Sequence, residues 1–255
     1  MNPHADAVAT RTFRIARSGA GGSLPGGAVF ELPVSRRTTV LDALFEVQRR
    51  HDPSLAFRSA CRVGMCGTCA IAVDGVPRLA CQTRVENLPA GPITLEPLPH
   101  LPVLKDLIVS LEPFFEKWRA VRPALHAVDP DARTLAVVTA DSEFGREARQ
   151  KRDCITCGAC FAACGVKGTS AAYLGPAAIN KAFLRLLDPR DGLVDERVAL
   201  LGREAEGVWR CHTQFNCVAA CPKGIPLTDS IVRLKRALLR PRRFHAKLRR
   251  NRPQV

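Results

Sequence analysis

Eleven cysteines, set at short and regular spacings, are the residues of this sequence most suited to chemistry. They form three groups, at 61–81, 154–164 and 211–221. No export signal is visible at the start of the chain, so we expect a reducing compartment such as the cytoplasm, where stable disulfides are disfavoured. Clustered cysteines in such a compartment more often bind metal or carry out redox chemistry. The pattern therefore predicts metal clusters rather than disulfides.

The first group has the spacing Cys-x4-Cys-x2-Cys followed by one more distant cysteine, and consists of Cys61, Cys66, Cys69 and Cys81. This spacing is typical of a plant-type [2Fe–2S] site. Gly64 and Gly67 lie inside the loop, where missing side chains let backbone N–H groups turn toward the sulfurs. A structural zinc site with the same four thiolates is the alternative. Zinc sites usually pair two short knuckles across a longer gap, so the spacing favours the iron–sulfur interpretation.

The second and third groups resemble each other. The second is the run Cys154, Cys157, Cys160 and Cys164, and the third is the run Cys211, Cys217 and Cys221. The second run has bacterial ferredoxin spacing, except that Gly165 stands where that motif has proline. In two-cluster ferredoxins the fourth cysteine of each run ligates the other cluster. The two runs are therefore expected to exchange their last cysteines.

This exchange assigns every remaining cysteine. The predicted [4Fe–4S] ligands are Cys154, Cys157, Cys160 and Cys221, and the ligands left for the other cluster are Cys164, Cys211 and Cys217. At the position where ferredoxin spacing would place its missing cysteine stands Gln214. A cubane corner without a thiolate tends to lose its iron, so we predict a [3Fe–4S] cluster. A second [4Fe–4S] cluster with an oxygen or water ligand is the alternative.

Hydrophobic periodicity predicts an α+β chain. Strands are predicted at 13–17, 28–34, 70–73, 76–80 and 92–95. A glycine-rich turn at 19–27 separates the first two strands, a helix follows Thr39, and Asp74-Gly75 predicts a hairpin. Helices are predicted at 101–118, 177–187, 198–207 and 227–239, the last ended by Pro241. The expected domains are a β-grasp domain over 1–102, an all-α domain over 103–240 and a basic tail over 241–255.

The sequence resembles the iron–sulfur subunit of succinate dehydrogenase and fumarate reductase over roughly residues 13–240. The stretches that carry this resemblance are CRVGMCGTC, PLPHLPVLKDLIVS, CITCGACFAAC and WRCHTQFNCVAACPKGIPLT. The resemblance implies an N-terminal β-grasp plant-type ferredoxin domain and an all-α bacterial-type ferredoxin domain. It implies electron transfer through [2Fe–2S], [4Fe–4S] and [3Fe–4S] clusters, between FAD in a flavoprotein subunit and quinone at membrane-anchor cytochrome b-type subunits. The expected location is the cytoplasmic face of the inner membrane.

The resemblance also draws attention to one histidine and to one segment in which this chain differs from its relatives. His212 stands where related subunits place a histidine near quinone and the [3Fe–4S] cluster, and an imidazole there can donate a hydrogen bond or relay a proton. A histidine that only caps a helix or supports the cluster is the alternative. Many quinone-reducing relatives carry aromatic residues after the fourth cysteine of the second run, whereas this chain has Gly165–Thr169. We therefore expect a differently shaped quinone pocket.

Two other functions remain open from the sequence. The same three-cluster module could serve another flavoprotein, such as a thiol oxidoreductase. The net charge is +14, and residues 231–255 hold ten Lys or Arg and no acidic residue, so a basic zinc protein that binds nucleic acid is the other class. The cysteine pattern favours iron–sulfur clusters, and we expect no nucleic-acid partner. No apolar run approaches the length that a membrane span requires.

Overall fold

The structure, a computed structural model, describes residues 7–19, 22–23, 27–129, 131 and 137–250. Its contacts divide the chain into two compact units, one of residues 1–111 with 155–163 and one of residues 112–154 with 164–255. The first unit holds the sheet and the second is helical, which confirms the α+β prediction. The domain limits drawn from the sequence, at 102 and 240, stay a prediction.

The first unit is built on a five-stranded sheet. Its strands and two short pairs are β1 (Ala7–Ile15), β2 (Ser18–Gly19), β3 (Gly22–Ser23), β4 (Ala28–Ser35), β5 (Ala70–Val73), β6 (Val76–Leu79), β7 (Ile93–Glu96), β8 (Val103–Lys105) and β9 (Ile108–Val109). The sheet order is β4-β1-β7-β5-β6, with β1 and β7 parallel and the other pairs antiparallel. The five predicted strands are confirmed. Within the predicted glycine-rich turn, 20–21 and 24–26 lie outside the described residues.

Helix α1 (Val40–Arg50) packs its apolar side into this unit. Thr39 caps it as predicted, because its hydroxyl accepts from the Asp42 N–H while the Asp42 carboxylate accepts from the Thr39 N–H.

The predicted hairpin is also present. Asp74 and Gly75 turn between β5 and β6 with positive φ values of 49° and 74°, a conformation that asparagine, aspartate and glycine adopt most readily.

The helix predicted over 101–118 is wrong in its first half. Residues 103–109 form the β8–β9 hairpin, and helix α2 spans only Glu112–Ala120. The hairpin turns at Asp106, which is 1% exposed with φ of 48°. Its carboxylate accepts hydrogen bonds from the backbone N–H groups of Ser18 (2.7 Å) and Ala56 (2.8 Å). These long-range bonds, which periodicity does not reveal, hold the segment in an extended form.

Helices make up the regular structure of the second unit. They are α2, α3 (Glu143–Lys151), α5 (Gly165–Thr169), α6 (Pro176–Leu187), α7 (Val194–Gly202), α8 (Asn216–Ala219), α9 (Leu227–Leu238) and α10 (Pro241–Arg250), whereas α4 (Ala159–Ala162) belongs to the first unit. The predicted helices at 177–187 and 227–239 are confirmed. Their buried faces pack together around Ile179, Phe183, Ile231 and Leu234.

Two helix limits differ from the prediction. The helix predicted over 198–207 runs from Val194 to Gly202, because the chain then turns so tightly that a Cβ at Gly207 would lie 2.0 Å from the Leu201 carbonyl oxygen. Pro241 begins a helix instead of only ending one, since proline fits the first helical position. Most of the expected tail is therefore helical, and Leu248 in it is buried. Within the described residues no helix is long and apolar enough to cross a membrane.

Candidate cluster sites

The loop of the first cysteine group turns its backbone N–H groups toward its own sulfurs. Cys61 Sγ accepts from the N–H groups of Met65 (3.2 Å) and Cys66 (3.3 Å). Gly64 and Gly67 have φ values of 71° and 74°, in the left-handed region that glycine enters without steric cost. N–H donors of this kind stabilise thiolate ligands and the negative charge of a reduced cluster. The loop thus has the local chemistry expected of an iron–sulfur site.

The four thiols of the first group interact with one another. The Thr68 hydroxyl and neighbouring backbone N–H groups, with Cys61, lower the pKa of Cys66 to about 6. Burial raises the pKa of Cys69 to about 12; a backbone hydrogen bond with Cys81 opposes the rise, whereas the side chain of Cys81 and the charge of Cys66 add to it. Each of the four cysteines therefore interacts with at least one other member of the group, and their joint binding of a cluster stays a prediction. Cys66 is exposed whereas Cys69 and Cys81 are buried, so the site has one edge at the surface.

The backbone of the second cysteine group lies directly against the first loop. A Cβ at Gly67 would stand 2.6 Å from Cys157 Cβ and 2.9 Å from Cys157 Cα. Both residues belong to the first unit. Only a residue without a side chain fits at this contact, which places a ligand of the second group beside the loop of the first. A short separation between two clusters favours electron transfer between them.

The second and third groups share one backbone conformation. Thr156 and Gly158 have φ values of 52° and 79°, and each is followed along the chain by the short helix α4. Thr213 and Phe215 hold the equivalent positions before α8, with φ values of 58° and 61°. Phe215 therefore adopts a left-handed conformation that its side chain disfavours and that glycine occupies in the other run. The similarity noted in the sequence extends to the backbone.

Gln214 occupies, within this shared conformation, the position that Cys157 has in the second run. Its amide oxygen would stand 3.1 Å from a Cβ at Gly165, the residue after Cys164. The side chain thus lies beside one of the three cysteines left for the third cluster. An amide oxygen is a hard, neutral donor and a poor substitute for thiolate on iron.

Cys164, Cys211 and Cys217 all belong to the second unit and interact with one another through their charges. Burial raises the pKa of Cys164, and the charge of Cys211 adds to that effect. Burial also raises the pKa of Cys217, with the charges of Cys164 and Cys211 adding to it, while a hydrogen bond with the Thr228 hydroxyl opposes the rise. Thr228 Oγ1 lies 3.5 Å from Cys217 Sγ. Burial favours the protonated form of these thiols. Iron that binds the sulfur displaces the proton, so cluster binding releases protons.

Tyr173 is a residue of this site that sequence reasoning missed. Its side chain is fully buried, and its hydroxyl oxygen makes no hydrogen bond within the described part of the chain. Burial, then the charges of Cys211, Cys164 and Cys217, raise the pKa of the phenol above its ordinary value. A buried hydroxyl without a partner, close enough to three cysteines to interact with their charges, fits a bound group that accepts a hydrogen bond. Nothing in the sequence pattern marked Tyr173, although it is the single tyrosine of the chain.

The remaining predicted ligands are divided between the two units. Cys157 and Cys160 belong to the first, and Cys154 and Cys221 to the second. Cys221 Sγ accepts from the Ile225 N–H at 3.4 Å, the same kind of backbone donor seen in the first loop. The grouping of these four cysteines around one [4Fe–4S] cluster stays a prediction. Among the described residues no group of three or more His, Cys, Asp or Glu side chains is arranged so that it could hold a metal ion.

His212 is exposed beside Cys211, so its imidazole is open to a ligand or partner. Its predicted quinone contact stays a prediction. Nearby in the sequence, Trp209 donates its indole N–H to the Gly202 carbonyl at 3.2 Å. Phe215, 57% exposed, adds an apolar side chain to the surface near the third cysteine group.

The chain matches two families of iron–sulfur domains. Residues 12–116 match the 2Fe-2S iron-sulfur cluster binding domain, and residues 150–225 match the 4Fe-4S dicluster domain. It is 36% identical over 207 residues to the succinate dehydrogenase iron-sulfur subunit of Paracoccus denitrificans, covering 78% of this chain and 76% of that protein. It is 35% identical over 221 residues to the fumarate reductase iron-sulfur subunit of Mycobacterium tuberculosis, covering 84% and 86%. The chain belongs to this family of iron–sulfur subunits.

The fold agrees with this membership. The Mycobacterium smegmatis Sdh1 complex in the apo form contains a chain that matches with a TM-score of 0.82 at 24% identity, covering 93% of this chain and 98% of that one. Family membership and the two iron–sulfur domains identify the chain as an electron-transfer subunit of the succinate dehydrogenase and fumarate reductase oxidoreductases. The interpretation as a basic zinc protein is therefore wrong.

Proposed function

We propose that this subunit relays electrons between FAD in a flavoprotein subunit and quinone at a membrane anchor. The observation that carries the proposal is the contact of Gly67 with Cys157, because it sets a ligand of the second cysteine group against the loop of the first. The iron–sulfur clusters, when bound, accept and release single electrons. The chain itself holds and insulates them, and contributes no dicarboxylate chemistry.

The ligand assignment follows the three cysteine groups. Cys61, Cys66, Cys69 and Cys81 would hold [2Fe–2S]; Cys154, Cys157, Cys160 and Cys221 would hold [4Fe–4S]; and Cys164, Cys211 and Cys217 would hold [3Fe–4S]. The shared backbone conformation supports the last assignment, because it puts Gln214 where the other run has a thiolate. Every cysteine of the chain then has a role.

Succinate provides the functional test. Succinate added to the purified complex should bleach the visible absorbance of the clusters and generate the EPR signal of a reduced [2Fe–2S] centre. A complex in which dithionite reduces the clusters and succinate does not would instead serve another flavoprotein, such as a thiol oxidoreductase. Identification of the co-purifying flavoprotein distinguishes the same two cases.

His212 is the proposed quinone contact on this chain. The imidazole is exposed next to Cys211, where it can donate to a quinone oxygen or relay a proton. His212→Ala should keep all clusters and slow quinone turnover more than electron transfer to ferricyanide. Equal losses in the two assays would assign His212 to cluster support instead.

The basic segment after residue 230 is the proposed membrane-proximal part, at the cytoplasmic face of the inner membrane. Arg236 lies on α9, Arg242 and Arg243 lie on α10, and Arg240 lies between the two helices. Each basic residue near an anionic surface contributes on the order of 1 kcal/mol. Deleting residues 241–255 should let the hydrophilic subunits wash from membranes at lower salt than the intact complex. Identical salt profiles would show that this segment does not bind the membrane.

A further inference from the structure

The Tyr173 hydroxyl is a buried polar group that the fold itself leaves without a partner. Its side chain is 0% exposed, and the oxygen makes no hydrogen bond within the described residues. Cys211 packs against the same apolar core as the ring, yet no hydrogen bond within the described residues joins its thiol to the hydroxyl. Because an unpaired buried hydroxyl destabilises a fold, a phenylalanine here would be more favourable unless the oxygen serves a bound group.

The backbone around Tyr173 is fixed on both sides. Lys167 Nζ donates to the Tyr173 carbonyl at 2.9 Å and to the Ala171 carbonyl at 3.0 Å. The Leu174 N–H donates to the Glu206 carbonyl at 2.9 Å. The ring itself is part of the apolar core of the second unit. The hydroxyl is therefore held inside this core, away from solvent, and Cys164 and Cys211 pack against the same core.

Sulfur is the hydrogen-bond acceptor that a cluster would offer to the Tyr173 hydroxyl. The charges that act on the phenol come from Cys211, Cys164 and Cys217, the proposed ligands of the three-iron centre. Thiolate and sulfide atoms of iron–sulfur clusters accept hydrogen bonds, and such bonds set the reduction potential. A donor favours the reduced state, which carries one more negative charge. A tyrosine keeps its proton near neutral pH and can act only as the donor to such an acceptor.

We propose that the Tyr173 hydroxyl donates a hydrogen bond to a sulfur atom of the [3Fe–4S] centre held by Cys164, Cys211 and Cys217, and so raises its reduction potential. This inference rests on the proposed function, because it requires that centre. Thr228, whose hydroxyl lies 3.5 Å from Cys217 Sγ, offers a second and more local donor. The fold thereby supplies two buried hydroxyl groups to one cluster.

The test is a redox titration of the intact complex, followed by the EPR signal of the oxidised three-iron centre. Tyr173→Phe retains the ring and removes the donor, so reduction should become about tenfold less favourable, a fall of about 59 mV for one electron. Ser230→Ala is the matched control. Its hydroxyl is equally buried but donates to Asn180 Oδ1 at 2.8 Å, away from the cysteines, so the potential should stay unchanged.

If the Tyr173→Phe complex fails to assemble, a second measurement on the wild-type complex tests the same inference. Electron–nuclear double resonance of the oxidised wild-type complex, compared in H2O and D2O, should reveal an exchangeable proton coupled to the three-iron centre. That coupling should persist in Thr228→Val. An unchanged potential in Tyr173→Phe, or no exchangeable coupling in Thr228→Val, overturns the inference while leaving the proposed function intact. A wild-type complex without the three-iron signal overturns the proposed function itself.

Discussion

Replacing Gly67 by alanine tests the close contact between the first two cysteine groups. The new Cβ would lie 2.6 Å from Cys157 Cβ, 2.9 Å from Cys157 Cα and 3.2 Å from the Ile155 carbonyl oxygen. Two of these three atoms are backbone, so a side-chain rotation cannot relieve the overlap. Either the loop or the segment that carries Cys157 must move, and each carries proposed cluster ligands.

Gly75 is a matched control for the conformational part of this effect. It has the same φ of 74° as Gly67, yet a Cβ there would meet nothing within 4 Å. Gly75→Ala should therefore cost only the left-handed backbone strain, about 1–2 kcal/mol. Gly67→Ala adds the overpacking cost, about 1–3 kcal/mol more. The difference between the two variants isolates the contact.

The assay is the rate at which heated complexes lose their visible iron–sulfur absorbance, since cluster loss is irreversible. If the contact is broken in the transition state for cluster loss, the extra cost of about 1–3 kcal/mol speeds the loss in Gly67→Ala by about fivefold to 160-fold relative to Gly75→Ala. EPR of the reduced proteins should also show disturbed [2Fe–2S] and [4Fe–4S] signals in Gly67→Ala alone. Equal rates and equal spectra in the two variants would refute the contact.

Three further changes test other parts of the account. Asp106→Ala removes the acceptor of two backbone N–H groups and the ion-pair partner of Arg17, so it should destabilise the fold by about 3–5 kcal/mol and make the complex unfold at lower denaturant concentration, with Asp106→Asn intermediate. Burial lowers the pKa of Lys167 to about 8 from 10.5, so between these pH values the unfolded chain binds more protons than the folded chain. The stability of the fold should therefore increase with pH over this range. Lys167→Met should abolish this increase in unfolding measurements made over a pH series. Gln214→Cys supplies the missing thiolate and should raise bound iron to about ten per chain, remove the oxidised EPR signal and lower the potential; unchanged iron would contradict the assigned ligand position.

Local signals predicted much of the first unit. Thr39 and Asp42 form the capping box that begins α1, and Asp74-Gly75 forms the turn between β5 and β6, because both motifs act through hydrogen bonds and dihedral angles of adjacent residues. The position of Gln214 was also predictable, since ligand spacing in a short loop follows from the chain itself. The structure adds the matching φ values around it.

Features that depend on distant contacts could not be predicted. The β8–β9 hairpin replaces a helical pattern because Asp106 binds backbone groups far away in sequence. The contact of Gly67 with Cys157 joins segments about ninety residues apart, and no local sequence pattern indicates it. Tyr173 had no motif around it, and its significance comes only from burial and from the three cysteines it faces. In each case the tertiary environment outweighs local propensity.

The assignment of three clusters to eleven cysteines is tested most directly by iron and acid-labile sulfide analysis combined with low-temperature EPR of the purified complex. We predict about nine irons per copy of this chain, after subtracting any haem iron. The oxidised complex should give the signal of a three-iron centre, and the reduced complex the signal of a [2Fe–2S] centre. About ten irons with an EPR-silent oxidised state would contradict the account, because a fourth iron would then be bound beside Gln214.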